Sequence, residues 1–296
     1  MLELSRGDLS LALLPEAGAA IVRLTCGGVD VLRRGDPGAV ARDPTEAACF
    51  PLVPYSGPVV GGRFPFDGIE HRLARTHPNE PEPIHGEGWV AVWEAVDHRT
   101  DTAILRYHHL PRSGAFPFPF PYLAEQRIAL DRGRVTIGVS VTNLGDRPMP
   151  AGIGVHPYFP DRRGLRLHLA AGGVWSRRPL DRDGPAVLPV PPDWSFAEPR
   201  AAAALVVDDS FPGWAGKAEL SWADRGLAVE ITADPLFRFV QLFSTADEDF
   251  LCVEPVSNAN DGFNLMAAGI EQHGVQLLAP GQRLAGAMSL EVRQAG

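Results

Sequence analysis

Gly152-Ile153-Gly154-Val155-His156-Pro157-Tyr158-Phe159 is an apolar run that passes into a histidine, a proline and two aromatic residues. Because proline has no N–H and seldom continues a central strand, the pattern predicts a strand that ends at the histidine. Two other stretches carry polar residues in similar surroundings: Pro83-Ile84-His85-Gly86-Glu87-Gly88-Trp89 and Cys252-Val253-Glu254-Pro255-Val256-Ser257. We expect the three stretches to meet at one site, where His156 and Glu254 transfer protons.

Short apolar segments separated by turn residues recur along the whole chain. Glu125 to Leu130 and Val135 to Thr142, for example, alternate around the turn Asp131-Arg132-Gly133. About a dozen such segments follow one another at the roughly 8–12-residue spacing typical of sandwiches and barrels. The sequence therefore predicts an all-β fold with under about a tenth of its residues in α-helix, far below the usual third. No linker or repeat divides the chain, so residues 1–296 are expected to form a single domain.

Two proline-rich stretches interrupt the strand pattern. Residues 49–58, Cys-Phe-Pro-Leu-Val-Pro-Tyr-Ser-Gly-Pro, contain three prolines, which argue against helix and central strand alike. We expect an irregular but ordered segment that lines a site or covers the core. The phenylalanines of Phe116-Pro117-Phe118-Pro119-Phe120 favour burial over a polyproline ligand.

Composition excludes several classes of function. The formal net charge of −9 gives no basic footprint for a nucleic acid. No apolar run approaches the ~18 residues of a membrane span, and the N-terminal stretch does not resemble a signal peptide, so the cytoplasm is the expected location. Cys26, Cys49 and Cys252 are odd in number and form no CxxC, which argues against a disulfide framework or a zinc–cysteine site. No metal site and no cofactor are expected, because HExxH and glycine-rich phosphate motifs are absent.

Each candidate residue also has a purely structural interpretation. His156 taken alone is as well explained as a hydrogen-bonded core histidine, and Glu254 as an edge carboxylate bonded to nearby amides. A loop histidine such as His85 is usually a surface residue, and Asp208-Asp209 is more often a solvated turn. A prediction of function therefore has to rest on the combination of these residues and not on any one of them.

The order and spacing of these motifs together resemble the aldose 1-epimerase (galactose mutarotase-like) family. The resemblance runs nearly end to end and is weakest between Asp161 and Leu205. It implies a galactose mutarotase-like β-supersandwich, in which two large antiparallel sheets carry a sugar cleft on a concave face.

The resemblance also implies roles for four residues. His156 matches the general acid in the family's His-Pro-Tyr-Phe motif, and Glu254 matches its catalytic glutamate. His85 matches a histidine that binds the sugar near its ring oxygen, and Asp208 matches an aspartate that binds sugar hydroxyls. One position departs from the family, which usually has Asn-Arg where this chain has Gly57-Pro58, so a sugar-binding arginine is missing.

The implied reaction interconverts the α and β anomers of an aldose, with a small-molecule sugar as the partner. Three alternatives stay open. The first is a non-catalytic carbohydrate-binding or regulatory protein, which the missing arginine favours. The second is a hexose-phosphate epimerase, which needs a basic pocket. The third is a glycoside hydrolase that uses Glu254 and Asp208 as its two carboxylates. The oligomeric state is expected to be monomer or homodimer.

Overall fold

The computed structural model describes residues 1–111, 118–175 and 187–294. Half of the structure is β-strand and 9% is helix, so the all-β prediction is confirmed. The helical segments are α1 (Pro37–Val40), α2 (Gly262–Ala267) and the 3-10 turns Pro44–Glu46, Val60–Gly62, Gly88–Val90, Pro192–Trp194 and Glu271–His273. Within the described ranges, no helix is long and apolar enough to cross a membrane.

One large antiparallel sheet, the front sheet, carries all but one of the predicted site residues. Its strands are β1 (Leu2–Arg6), β2 (Leu9–Leu14), β3 (Ala20–Cys26), β4 (Val29–Asp30), β5 (Cys49–Leu52), β13 (Gly154–Pro160), β18 (Val207–Pro212), β21 (Phe239–Ser244) and β22 (Phe250–Val256). They follow the order β1-β2-β3-β5-β13-β22-β21-β18, and β4 pairs with β3. His156 and Glu254 therefore lie on neighbouring strands in the middle of the sheet.

A second large antiparallel sheet, the back sheet, supports the first. Its strands are β8 (Glu94–His98), β9 (Thr102–His109), β10 (Tyr122–Asp131), β11 (Arg134–Asn143), β14 (Leu165–Leu169), β17 (Phe196–Ala201), β19 (Lys217–Trp222), β20 (Leu227–Ala233) and β24 (Arg283–Gln294). Their order is β17-β14-β19-β20-β24-β11-β10-β9-β8. Three small two-stranded sheets complete the described strands: β6 (Arg63–Phe66) with β7 (Ile69–Arg72), β12 (Met149–Ala151) with β23 (Gln276–Leu278), and β15 (Val174–Trp175) with β16 (Val187–Leu188).

Strand patterning determines how the sheets bury their side chains. Along β11, the apolar Val135, Ile137, Val139 and Val141 alternate with polar residues and a glycine, and the four apolar residues join the main hydrophobic core. The strands β5 and β22, in contrast, are buried at every position. The front sheet has apolar residues on both faces, since a second buried cluster that includes Phe50 lies outside the main core. One face of the front sheet thus packs in the core, and the other is available to form a site.

The structure corrects two predictions about proline. Residues 49–52 form the central strand β5, although prolines were expected to exclude one there. The strand tolerates Pro51 because its pairing with β3 is confined to one residue pair, Ile21 with Cys49. The strand expected to end at His156 also continues through Pro157 to Pro160. Burial of the Phe-Pro segment is confirmed for Phe118 and Phe120, whereas Phe116 and Pro117 lie outside the described residues.

Removal of a back-sheet core side chain should destabilise the protein strongly. Ile137 is completely buried in β11, and Ile137→Ala is expected to lower the free energy of unfolding by about 2–5 kcal/mol. Ile69→Ala is the matched control, because Ile69 is 50% exposed in β7 and should change stability by less than about 0.5 kcal/mol. Urea unfolding compares the two variants, and equal effects would contradict the assigned core.

Candidate active site

The strands β13 and β22 bring the two predicted proton-transfer residues together. They keep one antiparallel register on both sides of His156, which places His156 directly opposite Glu254. Side chains opposite each other in an antiparallel pair project from the same face and lie within contact distance. Nε2 of His156 is 3.3 Å from Oε1 of Glu254, and both side chains are buried.

Prolines open the sheet at this contact. Pro157 follows His156 on β13, and Pro255 follows Glu254 on β22. Because neither proline has an N–H to donate, the regular ladder cannot form between these residues. Residue pairing accordingly stops at Gly154 and resumes at Tyr158. The histidine and the glutamate therefore face each other across a local gap in the hydrogen bonding.

Cross-strand pairing extends the site over the front sheet in two rows. The first row is Phe50, His156, Glu254, Gln241 and Ser210, on β5, β13, β22, β21 and β18. The second row is Tyr158, Cys252, Phe243 and Asp208, on β13, β22, β21 and β18. Paired residues share a face of the sheet, so all nine side chains belong to the same surface.

Asp208 joins the site from the edge strand β18. Nε2 of Gln241 donates a hydrogen bond of 2.8 Å to Oδ1 of Asp208. Gln241 is in turn the cross-strand neighbour of Glu254. Asp208 itself is exposed on the cleft side, so its carboxylate is accessible to a ligand.

His85 reaches the same cleft from a loop that its neighbours hold in place. Nδ1 of His85 accepts a hydrogen bond of 3.1 Å from the N–H of Gly57. Burial lowers the pKa of His85 to about 3, so the ring is neutral near pH 7 and the proton resides on Nε2. Two residues further on, Glu87 accepts hydrogen bonds from the Phe118 N–H and the Tyr122 hydroxyl, which anchors the loop to the back sheet.

The four predicted residues line one cavity of about 590 Å³. This volume lies within the range of small-molecule sites. His85, His156, Asp208 and Glu254, which are far apart in the sequence, all contribute to its walls. The cavity also exposes aromatic faces, among them that of Phe243.

Burial determines the protonation of the central pair. It raises the pKa of Glu254 well above its ordinary value, and the charge of Asp208 raises it further. Burial likewise lowers the pKa of His156 well below its ordinary value, aided by the nearby His85 and Arg33. Both shifts favour a neutral pair in which the proton resides on the carboxyl. The charged form of the pair, a carboxylate beside an imidazolium, carries the same proton on the histidine instead.

Arg33 and Gln241 are cleft residues that sequence reasoning missed. The guanidinium of Arg33 lies 3.6 Å above the ring centre of Tyr158, and its Nε donates to the Ala47 carbonyl. Arg63, Arg72 and Arg75 follow Pro58 within 17 residues of the sequence, but they do not line the cavity and cannot replace the missing arginine there. Arg33 carries no motif that would have identified it. Gln241 could have been found by its position in a strand next to the one that holds Glu254.

A third residue lies close to the central pair. The Cys252 sulfur, a ring nitrogen of His156 and a carboxylate oxygen of Glu254 all lie within 4.8 Å of one another. These are ligand types that could hold a metal ion. The cluster combines two strands that are distant in sequence, so a search for local metal-binding motifs could not detect it.

The low pKa of His85 predicts a specific dependence of stability on pH. The folded-state pKa is about 3 and the ordinary value is 6.5, so the unfolded chain binds more protons between these values. Stability contributed by the neutral ring is complete above pH ~6.5 and is lost as the pH falls toward ~3. His85→Gln should reduce this loss, as measured by urea unfolding at several pH values.

His98→Gln is the control, because His98 is exposed on the back sheet. It should keep the wild-type dependence on pH. An unchanged slope in His85→Gln would contradict the neutral, buried state of His85.

Comparison with known proteins identifies the family. Residues 1–291 match the family described as aldose 1-epimerase. The uncharacterised protein YphB of Escherichia coli K12 is 32% identical over 296 residues, covering 98% of this chain and 97% of YphB. A crystal structure from E. coli K12, provisionally named an aldose 1-epimerase, has a TM-score of 0.87 at 30% identity and 99% coverage of both chains.

A galactose mutarotase-like protein from Clostridium acetobutylicum has a TM-score of 0.84 at 15% identity, covering 99% of this chain and 95% of its own. That likeness concerns the fold and supports the predicted supersandwich of two large antiparallel sheets. The sequence match over residues 1–291 identifies this chain as a member of the aldose 1-epimerase family.

Proposed function

We propose that the protein is an aldose 1-epimerase that interconverts the α and β anomers of a free aldose. The contact between His156 and Glu254 on the floor of a sugar-sized cavity carries the proposal. We further infer that the whole chain acts as one domain, because the main core contains residues of both large sheets.

The proposed reaction opens and recloses the sugar ring. Glu254 accepts the proton of the C1 hydroxyl while His156 donates a proton to the ring oxygen, and the C1–O5 bond breaks. Rotation about the C1–C2 bond presents the other face of the carbonyl. The same two groups then return their protons as the ring closes, so the enzyme ends the cycle unchanged.

The pair needs one proton to start this cycle. A protonated carboxyl beside a neutral imidazole and a carboxylate beside an imidazolium contain the same number of protons. Burial favours the first state in the unliganded cleft, and transfer across the 3.3 Å contact produces the second. We propose that sugar hydroxyls, by donating to Glu254, stabilise the carboxylate in the complex. Because both states have the same net charge, the transfer needs no change of pH.

Polar groups around the pair are suited to hold the sugar. His85 presents Nε2–H as a donor, because its Nδ1 is already bonded to Gly57. Asp208 offers carboxylate oxygens to sugar hydroxyls. Oε1 of Gln241 is buried and accepts no hydrogen bond from the described residues. We propose that a sugar hydroxyl donates to it, since a buried acceptor without a partner is costly.

The charges that line the cavity favour an uncharged sugar over a phosphorylated one. Carboxylates other than Glu254 line its walls and rim, contributed by Glu46, Glu80, Glu82, Asp208 and Glu248. Among the described lining residues, Arg33 is the sole arginine, and it already donates hydrogen bonds to the carbonyls of Thr45 and Ala47. Strong binding of a phosphate group uses several positively charged hydrogen-bond donors. The hexose-phosphate alternative therefore lacks support.

A non-catalytic sugar-binding protein is the second candidate. It is favoured by Pro58, which lines the cavity without a side-chain donor where the family usually has arginine. The proximity of His156 to Glu254 opposes it, because binding alone does not require a buried proton-transfer pair. Sugar binding without turnover would support this candidate.

Substitution of either proton-transfer residue should abolish most activity without unfolding the chain. Glu254→Gln and His156→Asn are each expected to lower the rate about 10²–10⁴-fold, the usual effect of losing a general acid or base. Polarimetry of a freshly dissolved α-anomer measures the rate, and circular dichroism checks folding. Glu70→Gln and His98→Asn, which change exposed residues outside the cavity, are the controls. Wild-type rates in both pair variants would refute the mechanism.

Activity should survive dialysis against EDTA and need no added cofactor. The proposed proton transfers use only side chains of the protein and the substrate. The measurement compares mutarotation rates before and after chelation. Loss of activity that a single metal restores would contradict the proposal.

Arg33 should contribute to sugar affinity more than any arginine near Pro58. Nε and Nη2 of Arg33 are bonded to the Ala47 and Thr45 carbonyls, which leaves Nη1 to donate to a sugar hydroxyl. A hydrogen bond from a charged group contributes about 1.5–3 kcal/mol, so Arg33→Ala is expected to raise KM roughly 10–100-fold with a smaller effect on kcat. Arg63→Ala, Arg72→Ala and Arg75→Ala should leave KM unchanged, because these residues lie outside the cavity lining. An unchanged KM in Arg33→Ala, together with a raised KM in one of the other three variants, would show that a different arginine replaces the missing one.

A further inference from the structure

Cys252 is a buried thiol that the proposed reaction does not use. It precedes Glu254 by two positions on β22, so both side chains project from the cleft face. Its cross-strand neighbour is Tyr158, which follows His156 by two positions. The sheet therefore places a thiol, an imidazole and a carboxylate at adjacent positions of two strands, and ligand atoms from all three lie within 4.8 Å of one another.

These three groups match the ligand preferences of zinc. Zinc bonds to sulfur, nitrogen and carboxylate oxygen at about 2.0–2.3 Å, so tetrahedral ligands lie roughly 3.5 Å apart. The His156 and Glu254 atoms are already 3.3 Å apart. The Cys252 sulfur lies within 4.8 Å of both atoms, so it has to approach by at most about 1 Å to reach that spacing. Three protein ligands leave the fourth position for a water.

The local charge also suits a divalent cation. Once deprotonated, Cys252 and Glu254 supply two negative charges, which balance those of the metal. Asp208 adds negative potential, because its charge acts on Glu254. Binding would replace the thiol proton and the one proton of the pair, and both protons would pass to solvent.

We propose that His156, Cys252 and Glu254 form a zinc-type metal site at the cleft. His156 and Glu254 line the cavity, and Cys252 lies beside them outside its lining. A metal ion bound there occupies the atoms that transfer protons, so it acts as an inhibitor and not as a cofactor. Metal binding stands on the geometry of the three ligands alone. Inhibition of anomer exchange rests in addition on the proposed function.

Calorimetric titration of the metal-free protein with zinc chloride tests the binding step. The wild-type chain should bind one zinc ion. Removal of one ligand in Cys252→Ser should weaken the affinity by at least the roughly 10–100-fold that loss of an outer-shell partner causes. Cys49→Ser is the matched control, because Cys49 is equally buried on β5, which pairs with β13, but lies outside the cluster. It should keep the wild-type affinity.

Cobalt(II) provides a readout that does not depend on activity or on the stability of a variant. A thiolate ligand gives bound cobalt an intense charge-transfer absorption in the near ultraviolet. The band should appear in the wild-type protein and in Cys49→Ser, and be lost in Cys252→Ser and Cys252→Ala. Glu254→Gln should keep the band but bind cobalt more weakly. Thermal melting of the metal-free variants confirms that each is folded.

Sugar competition locates the ion at the proton-transfer pair. A saturating aldose should weaken zinc binding to the wild-type protein, and zinc should lower the rate of anomer exchange. Each variant is compared with its own zinc-free rate, so a change in basal activity does not disturb the result. Zinc affinity that is equal in wild type and Cys252→Ser, or the absence of zinc binding, would overturn the proposal. Cysteine-dependent zinc binding without any mutarotation would instead refute the proposed function and retain the metal site.

Discussion

The cleft depends on one cross-strand contact, the approach of His156 to Glu254 in the middle of the front sheet. An antiparallel register places the two side chains opposite each other, and it is fixed by residue pairs on either side. Pro157 and Pro255 remove the ladder hydrogen bonds at the same level. Two polar residues thus occupy a position where a central sheet would otherwise be regular and apolar.

Burial gives this contact its chemical character. A charged carboxylate or imidazolium is unfavourable in such surroundings, so the pair favours a state with a single shared proton and no net charge. The rest of the cleft offers complementary polar groups. His85 presents its Nε2–H as a hydrogen-bond donor, while Asp208 and Gln241 present oxygen atoms as acceptors. In the proposed reaction the sugar stabilises the charged state of the pair only when it is bound.

The fold class followed from the spacing of short apolar segments, and the four site residues followed from motifs that resemble a family. The rule that proline does not occur in a central strand gave the wrong prediction at Pro51 and Pro157. Proline is tolerated there because the pairing with an adjacent strand is short or interrupted, which the local sequence does not reveal. Arg33 could not be placed in the cleft, since its position depends on packing against Tyr158. The proximity of Cys252 to His156 likewise arises from sheet pairing and not from sequence spacing.

The central claim is that this buried pair catalyses anomer exchange in a free sugar. The most direct measurement is exchange NMR on a panel of free aldoses and their phosphates, with catalytic amounts of wild-type protein and an enzyme-free control for each sugar. The account predicts that at least one free aldose exchanges its anomers far faster than its control, while the phosphates do not. Sugars that bind without any acceleration of exchange, or acceleration confined to the phosphates, would contradict it.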